Sequence, residues 1–181
     1  MDGKTVSEQY AIVANKLLFR YGKSFHWARY FLGRETGLEA TRLYAFCRYL
    51  DDIADNNEND NITKLKSIED VINNNPNEAE NSPEVYDFLQ LAEELNLPIF
   101  AVKDLLSGLI SDQNNVLILD KDQLLQYAYK VAGTVGLLMT PILRTSSKRA
   151  LPFAIDLGIA MQLTNIARDV LEDAQLDRRY I

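Results

Sequence analysis

Two acidic segments carry the residues whose types and spacing could do chemistry. In the first, Asp51 and Asp55 are four residues apart, so on a helix their side chains project from one face. In the second, Asn165, Asp169 and Asp173 repeat this step along one stripe. Like charges at this spacing repel by about 0.2–0.5 kcal/mol per pair on an open helix. Because Mg²⁺ prefers carboxylate and amide oxygens and completes its shell with water and substrate phosphates, the two segments together favour a shared divalent cation.

Solvated acidic helix ends are the alternative interpretation of these segments. A single D-x-x-x-D pair is common in helices, so one copy alone would be a weak signal. Here there are two copies in otherwise apolar surroundings, and Arg48 and Arg168 are their neighbours. A simple surface helix more often alternates the sign of its charges. We therefore favour the metal interpretation.

Several other kinds of site are excluded by residue counts and spacing. His26 is the single histidine and Cys47 the single cysteine, which excludes two-histidine metal motifs, intramolecular disulfides and cysteine-cluster zinc sites. The Gly22-Lys23-Ser24 segment lacks the glycine that a phosphate loop requires five residues earlier, where Leu17 stands. The GTVG segment that begins at Gly133 lacks the third glycine of a dinucleotide fingerprint.

The composition is that of an acidic globular protein. The 181 residues include 19 Lys and Arg against 26 Asp and Glu, a net charge of −7, which argues against a nucleic-acid partner. The longest apolar run, residues 131–143, is shorter than the ~20 residues of a membrane-spanning helix. The N-terminus has no apolar signal core, and the single cysteine fits a reducing compartment. We expect a cytoplasmic protein, and loose attachment to a membrane surface stays open.

Long helices are expected, because only five prolines and eight glycines interrupt the chain. Residues 1–181 are therefore predicted to form a single all-α domain. Residues 73–83 are predicted to form a polar loop, and residues 116–119 give a weak strand signal. Apolar periodicity and capping residues predict helices over residues 7–21, 39–55, 64–72, 85–95, 99–110, 123–143 and 147–174.

Four segments of the chain resemble the squalene/phytoene synthases, which join two prenyl diphosphates head to head. They are YGKSF at residues 21–25, RLYAFCRYLDDIAD at 42–55, YKVAGTVG at 129–136 and QLTNIARDVLEDAQLDRRYI at 162–181. Their order and spacing match the family over nearly the whole chain. The resemblance implies an isoprenoid-synthase-type helical bundle around a central cavity. In that fold, two aspartate-rich helices face each other across the mouth of the cavity.

The resemblance also implies roles for individual residues. The metal ligands would be Asp51, Asp55, Asn165, Asp169 and Asp173. The residues that bind the substrate would be Ser24, Tyr44, Arg48, Gln162 and Arg168, with Arg48 on the diphosphate. The catalytic set would be the four aspartates of the metal site together with Tyr127, which lines the substrate region.

The implied reaction begins with ionisation of a farnesyl or geranylgeranyl diphosphate. Mg²⁺, or Mn²⁺ in its place, and the guanidinium of Arg48 would neutralise the departing diphosphate. The double bond of a second molecule captures the allylic cation and gives a cyclopropylmethyl diphosphate, which ionises and rearranges. Proton loss then gives phytoene or dehydrosqualene, whereas squalene needs hydride from NADPH. Released diphosphate or a tyrosine would accept the proton.

Two glycines lie inside the helix predicted over residues 123–143. Gly133 and Gly136 are expected to allow a kink and a close approach by a substrate chain, as part of the cavity wall. Packing against a neighbouring helix, without a ligand, is the alternative.

The sequence ends at RRYI, directly after the second acidic segment, whereas the family continues through several more helices. We therefore expect an incomplete bundle whose exposed apolar faces favour a homo-oligomer or a partner chain with the C-terminal part. A non-catalytic helical protein that serves as an assembly or lipid-binding factor is the main alternative function. Another magnesium-dependent prenyl diphosphate enzyme is a further alternative, but such families usually space their aspartate motifs differently.

Overall fold

Helices make up nearly all of the regular structure in the computed structural model. The structure describes residues 19, 23–29, 31–56, 60–113, 116–145 and 147–180. These residues contain no strand, and the predicted all-α class is confirmed. The helix predicted over residues 7–21 lies outside the described residues except for Phe19.

The helices follow the predicted order with shifted ends. The predicted loop contains a 3₁₀ helix, Pro76–Asn81. The helix that begins at Lys121 continues through a π-helical turn, Tyr129–Gly133, directly into the helix that begins at Thr134. The α-helices are α1 Lys23–Arg29, α2 Arg34–Asp55, α3 Asn61–Asn73, α4 Pro83–Leu95, α5 Ile99–Ser111, α6 Lys121–Ala128, α7 Thr134–Ile142, α8 Ala150–Arg168 and α9 Val170–Gln175.

The C-terminal helix predicted over residues 147–174 is divided at Asp169 into α8 and α9. Backbone hydrogen bonds of 2.9 Å join Asp169 N to Asn165 O and Asp173 N to Asp169 O across the break. The second acidic stripe therefore keeps its four-residue step. The weak strand signal at 116–119 corresponds to a single parallel bridge between Leu117 and Arg179.

An apolar seam on α2 forms one side of the core. Leu43, Phe46 and Leu50 are buried, and the ring of Phe46 stacks on Phe88 of α4 at a centroid distance of 3.9 Å. A buried ion pair between Arg42 Nε and Asp87 Oδ2, 2.9 Å long, further joins these two helices. Because this seam faces inward, α2 is held with Asp51 and Asp55 on another face.

Backbone contacts join α8 to the helix that runs from α6 through α7. Gly136 lies against the carbonyl group of Ala154, and Gly158 lies against that of Ala132. The two helices can approach this closely because neither glycine has a Cβ. At Gly136 the neighbour is thus a helix, which is the packing alternative and not the close approach of a substrate chain.

The outer face of α8 is apolar and exposed. Phe153, Leu157 and Met161 follow one another at four-residue steps with 75%, 64% and 44% of their surface exposed, and Ile166 is the single buried residue of the helix. Among the described residues, α8 is also the one helix long and apolar enough to cross a membrane, with a mean hydropathy of 1.3. Length and composition alone are weak evidence for a span. No uninterrupted apolar run in residues 150–168 reaches the length of a span, because Asp156 and Gln162 interrupt the apolar residues of the helix.

Candidate functional site

A pocket of about 430 Å³ brings the two acidic segments together. Asp51 and Asp55 lie on its α2 wall, and Asn165, Asp169 and Asp173 lie on its α8–α9 wall. All five residues that the sequence singled out as metal ligands thus line one cavity. Apolar groups that include Leu109, Val131 and Ile166 complete the lining. That the five acidic and amide residues bind a metal stays a prediction.

The two carboxylates on α2 have different surroundings. Asp55 is exposed, whereas Asp51 is half-buried and has no ion pair within the described part of the chain. Burial, followed by the negative charge of Asp55, raises the pKa of Asp51 to about 7, and the nearby Arg48 only partly counteracts this. A bound divalent cation would relieve this repulsion and stabilise the ionised form of Asp51.

The two aspartates on the α8–α9 wall, Asp169 and Asp173, differ in their charged neighbours. Arg168 donates two hydrogen bonds of 2.6 Å to the carboxylate of Asp169, and these lower the pKa of Asp169. Asp173 behaves in the opposite way, since burial and then the charge of Asp169 raise its pKa. Within the described part of the chain, the stripe therefore combines one carboxylate that has an ion pair, Asp169, with one that has none, Asp173.

The predicted substrate-binding residues divide into three groups. Arg48, Gln162 and Arg168 line the pocket, and Arg48 also pairs with Asp52 one turn further along α2. Tyr44 lies one turn before Arg48, half-buried, and is not among the described residues that line the pocket. The side chain of Ser24 lies outside the described residues.

Tyr127, the predicted catalytic tyrosine, also lines the pocket and brings in residues that sequence reasoning missed. Its hydroxyl donates a hydrogen bond of 2.7 Å to Asp112 Oδ2, and its ring stacks on Tyr180. Asp112, Arg178 and Tyr180 are all lining residues. One sequence feature could have indicated Asp112: it begins a polar Asp-Gln pair directly after the apolar helix α5. Arg178 and Tyr180 lie in the LDRRYI segment, but their spacing predicts no role.

The donor set fits a hard divalent cation. Carboxylate and amide oxygens are the ligands that Mg²⁺ and Mn²⁺ take, and the five candidate residues supply only these. Within the described part of the chain, no three acidic, histidine or cysteine side chains lie close enough together to hold a metal ion by themselves. An open arrangement suits an ion that keeps waters and takes the rest of its ligands from substrate phosphates.

Comparisons with known proteins point to one family. The model of the squalene/phytoene synthase family matches residues 18–181. The 15-cis-phytoene synthase of Enterobacter agglomerans is 34% identical over 170 residues, which cover 88% of this chain and 57% of that protein. The 4,4′-diapophytoene synthase of Staphylococcus haemolyticus is 32% identical over 180 residues, which cover 97% of this chain and 63% of that protein.

A solved structure gives the same result for the fold. The crystal structure of a dehydrosqualene synthase in complex with a ligand superposes with a TM-score of 0.83 at 27% identity. The match covers 96% of this chain and 61% of that one. The chain thus spans between 57% and 63% of the length of these three proteins.

Proposed function

The chain belongs to the squalene/phytoene synthase family, and we propose that its acidic pocket binds and ionises a prenyl diphosphate in a head-to-head condensation. The observation that carries the proposal is the single pocket into which α2 and α8–α9 bring Asp51, Asp55, Asn165, Asp169 and Asp173. The similar proteins are named as synthases of phytoene, diapophytoene and dehydrosqualene.

The pocket residues would divide the chemistry between the leaving group and the cation. Mg²⁺, when bound by the acidic residues, supplies the positive charge that makes diphosphate a leaving group. Arg48 lies on the same wall as Asp51, and its guanidinium can donate paired hydrogen bonds to phosphate oxygens. Leu109, Val131 and Ile166 form the apolar part of the lining, and an allylic cation formed beside them would be shielded from water on that side.

Tyr127 would act as a hydrogen-bond donor and not as the base. Burial raises the pKa of Tyr127 above its ordinary value, so its hydroxyl keeps the proton that it donates to Asp112. Released diphosphate is then the better acceptor for the final proton. We propose a product formed by proton loss, of the phytoene or dehydrosqualene kind, because the similar proteins reported above are named as synthases of such products. NADPH would be needed only for squalene.

Product analysis tests the whole proposal. The protein is incubated with farnesyl or geranylgeranyl diphosphate and Mg²⁺, and the extract is analysed by mass spectrometry. Calorimetry with farnesyl thiodiphosphate tests the binding step by itself. Mg²⁺-dependent binding supports the proposed site even where turnover needs a further chain. No binding with either Mg²⁺ or Mn²⁺ would reject the proposal and favour a non-catalytic helical protein.

The pH dependence of Mg²⁺ binding gives a more specific prediction. Since the pKa of Asp51 is raised to about 7, a cation that binds this carboxylate at lower pH must displace a proton. The apparent affinity for Mg²⁺ should fall by up to about tenfold per pH unit below that value and level off above it. Calorimetry in two buffers of different ionisation enthalpy counts the released protons. An affinity that stays constant from about pH 6 to about pH 8 would contradict the role of Asp51.

The exposed face of α8 supports a further proposal about assembly. We propose that Phe153, Leu157 and Met161 lie in an interface between copies of this chain, because contiguous apolar surface of this kind favours self-association. Leu157→Ser is expected to shift the sedimentation of the protein toward the monomer and to change the free energy of unfolding by less than about 0.5 kcal/mol. Lys148→Ser, an exposed polar position before the same helix, is the control. Wild-type protein that is already monomeric would contradict the proposal, and binding to lipid vesicles or to a partner chain would replace it.

A further inference from the structure

Asp112 is the point at which three distant parts of the chain meet in the pocket. It directly follows α5, and its Oδ2 lies 2.7 Å from the hydroxyl of Tyr127 on α6 and 3.5 Å from the hydroxyl of Tyr180. The two tyrosine rings stack with centroids 4.8 Å apart. Burial raises the pKa of Asp112 to about 6, and the hydrogen bond from Tyr127 limits that rise. At neutral pH the carboxylate is therefore ionised and accepts from the tyrosines.

The C-terminal segment 177–180 follows a fixed course from α9 to Asp112. Asp177 adopts a left-handed conformation with φ of 54°, and Arg178 N donates to Asp173 O at 2.9 Å, which closes α9. Arg179 N donates to Val116 O at 2.8 Å. Tyr180 follows and is buried against Tyr127. Arg178 and Tyr180 are thus part of the wall shared by the acidic pocket and an adjoining groove of about 660 Å³.

This wall places a positive charge between the two acidic segments. The guanidinium of Arg178 lies 3.6 Å from Asp55 Oδ1 on α2, and its charge also lowers the pKa of Asp173 on α9 against the larger effect of burial. The side chain is 24% exposed and lines the pocket. A partly desolvated guanidinium in this position can offer two parallel N–H groups to phosphate oxygens.

We propose that Asp112 is a positioning residue: by accepting from Tyr180 it fixes segment 177–180 and keeps the Arg178 guanidinium between the acidic segments, where it binds the diphosphate of the substrate. This inference rests on the proposed function. A second aspartate–tyrosine pair provides the matched control, since Tyr129 in the π-helical turn donates to Asp104 Oδ2 on α5 at 3.1 Å. Neither Asp104 nor Tyr129 is among the described residues that line the pocket.

Calorimetry with farnesyl thiodiphosphate and Mg²⁺ tests the proposal without reference to turnover. Asp112→Asn and Tyr180→Phe should each weaken binding by about tenfold, as should Arg178→Gln, because each loses the charge-assisted contact of Arg178. In the Arg178→Gln background, Asp112→Asn should cause little additional loss, because both changes remove the same contact. Asp104→Asn should leave the affinity unchanged. Arg178→Lys should restore part of the affinity that Arg178→Gln loses.

The outcomes distinguish a failure of the positioning role of Asp112 from a failure of the proposed function. If wild-type protein binds and the Asp112 and Tyr180 variants bind equally well, the positioning role is wrong and the proposed function stands. Losses that add fully in the double variant would also overturn the positioning role, since Asp112 would then act independently of Arg178. If Asp112→Asn does not fold, Tyr180→Phe, which keeps the ring, decides alone. A wild-type protein that does not bind would overturn the proposed function and this inference with it.

Discussion

Replacing Asp51 with asparagine is expected to weaken Mg²⁺-dependent diphosphate binding strongly and to stabilise the metal-free fold. The binding loss follows from removing a charged oxygen donor from a pocket that would hold the cation, and we expect a decrease of about 100-fold or more in affinity for farnesyl thiodiphosphate. The gain in stability follows from the surroundings of Asp51. Burial and the neighbouring charge of Asp55 both destabilise the ionised form of Asp51 in the folded protein.

The sign of the stability effect depends on pH. An unfolded aspartate titrates near 3.8, and in the folded protein the pKa of Asp51 is raised to about 7. The folded state therefore holds this proton more tightly, and stability is lost as the pH rises through that range. Asparagine cannot ionise and avoids the loss. The variant should match wild type near about pH 4 and exceed it by about 1–3 kcal/mol at about pH 8.

Chemical denaturation in the presence of a chelator measures this difference at both pH values. The adjacent Asp52→Asn is the control, because Asp52 is exposed and its pair with Arg48 is an i,i+4 pair on the helix surface. We expect it to change stability by about 0.5 kcal/mol or less and to retain binding. An Asp51→Asn variant that keeps the affinity of the wild type would show that the Asp51 carboxylate is not needed for Mg²⁺-dependent binding. One that is less stable than wild type at the higher pH would contradict the burial argument.

Local periodicity explains why part of the site could be predicted from the sequence. The side of α2 that carries Asp51 and Asp55 follows from the helical repeat, because Leu43, Phe46 and Leu50 define a different, buried face. The stripe through Asn165 and Asp169 follows in the same way. The repeat fixes only the face of each helix. The oxygen donors of the two stripes favour a shared cation, and the family resemblance implies that the stripes face each other across a cavity. No local pattern encodes the distance between the helices.

Contacts between distant segments explain what sequence reasoning missed. Asp112 enters the site because Tyr180, 68 positions later, reaches its carboxylate, and neither residue has a periodic partner nearby. Arg178 points toward Asp55 only because a left-handed residue and the bridge at Leu117 redirect the chain after α9. The division between α8 and α9 at Asp169 was likewise not predicted, because the backbone hydrogen bonds on both sides of it keep the helical repeat.

Gly136 is expected to tolerate no side chain, because the helix that carries it contacts α8 there through backbone atoms. A Cβ at this position would overlap the backbone carbonyl of Ala154, which belongs to a helix and cannot rotate away. Gly136→Ala should therefore cost about 2–4 kcal/mol of unfolding free energy, even though alanine favours a helix over glycine by about 1 kcal/mol. Gly158→Ala should have a similar cost, because its Cβ would overlap the carbonyl group of Ala132.

Gly133→Ala provides the graded control in the same helix. Its Cβ would lie 3.1 Å from Tyr129 Cδ2 and 3.3 Å from Ile155 Cγ2, which are side-chain atoms that can move by the few tenths of an ångström required. Its stability should stay within about 1 kcal/mol of wild type. Because α8 carries Asn165 on the pocket wall, pushing α8 outward should also weaken Mg²⁺-dependent binding in any Gly136→Ala protein that folds. Equal stability of the Gly133→Ala and Gly136→Ala variants would contradict this prediction. It would mean that the two helices can separate at Gly136 without a cost in stability, so their backbone contact would not fix the position of α8 at the pocket.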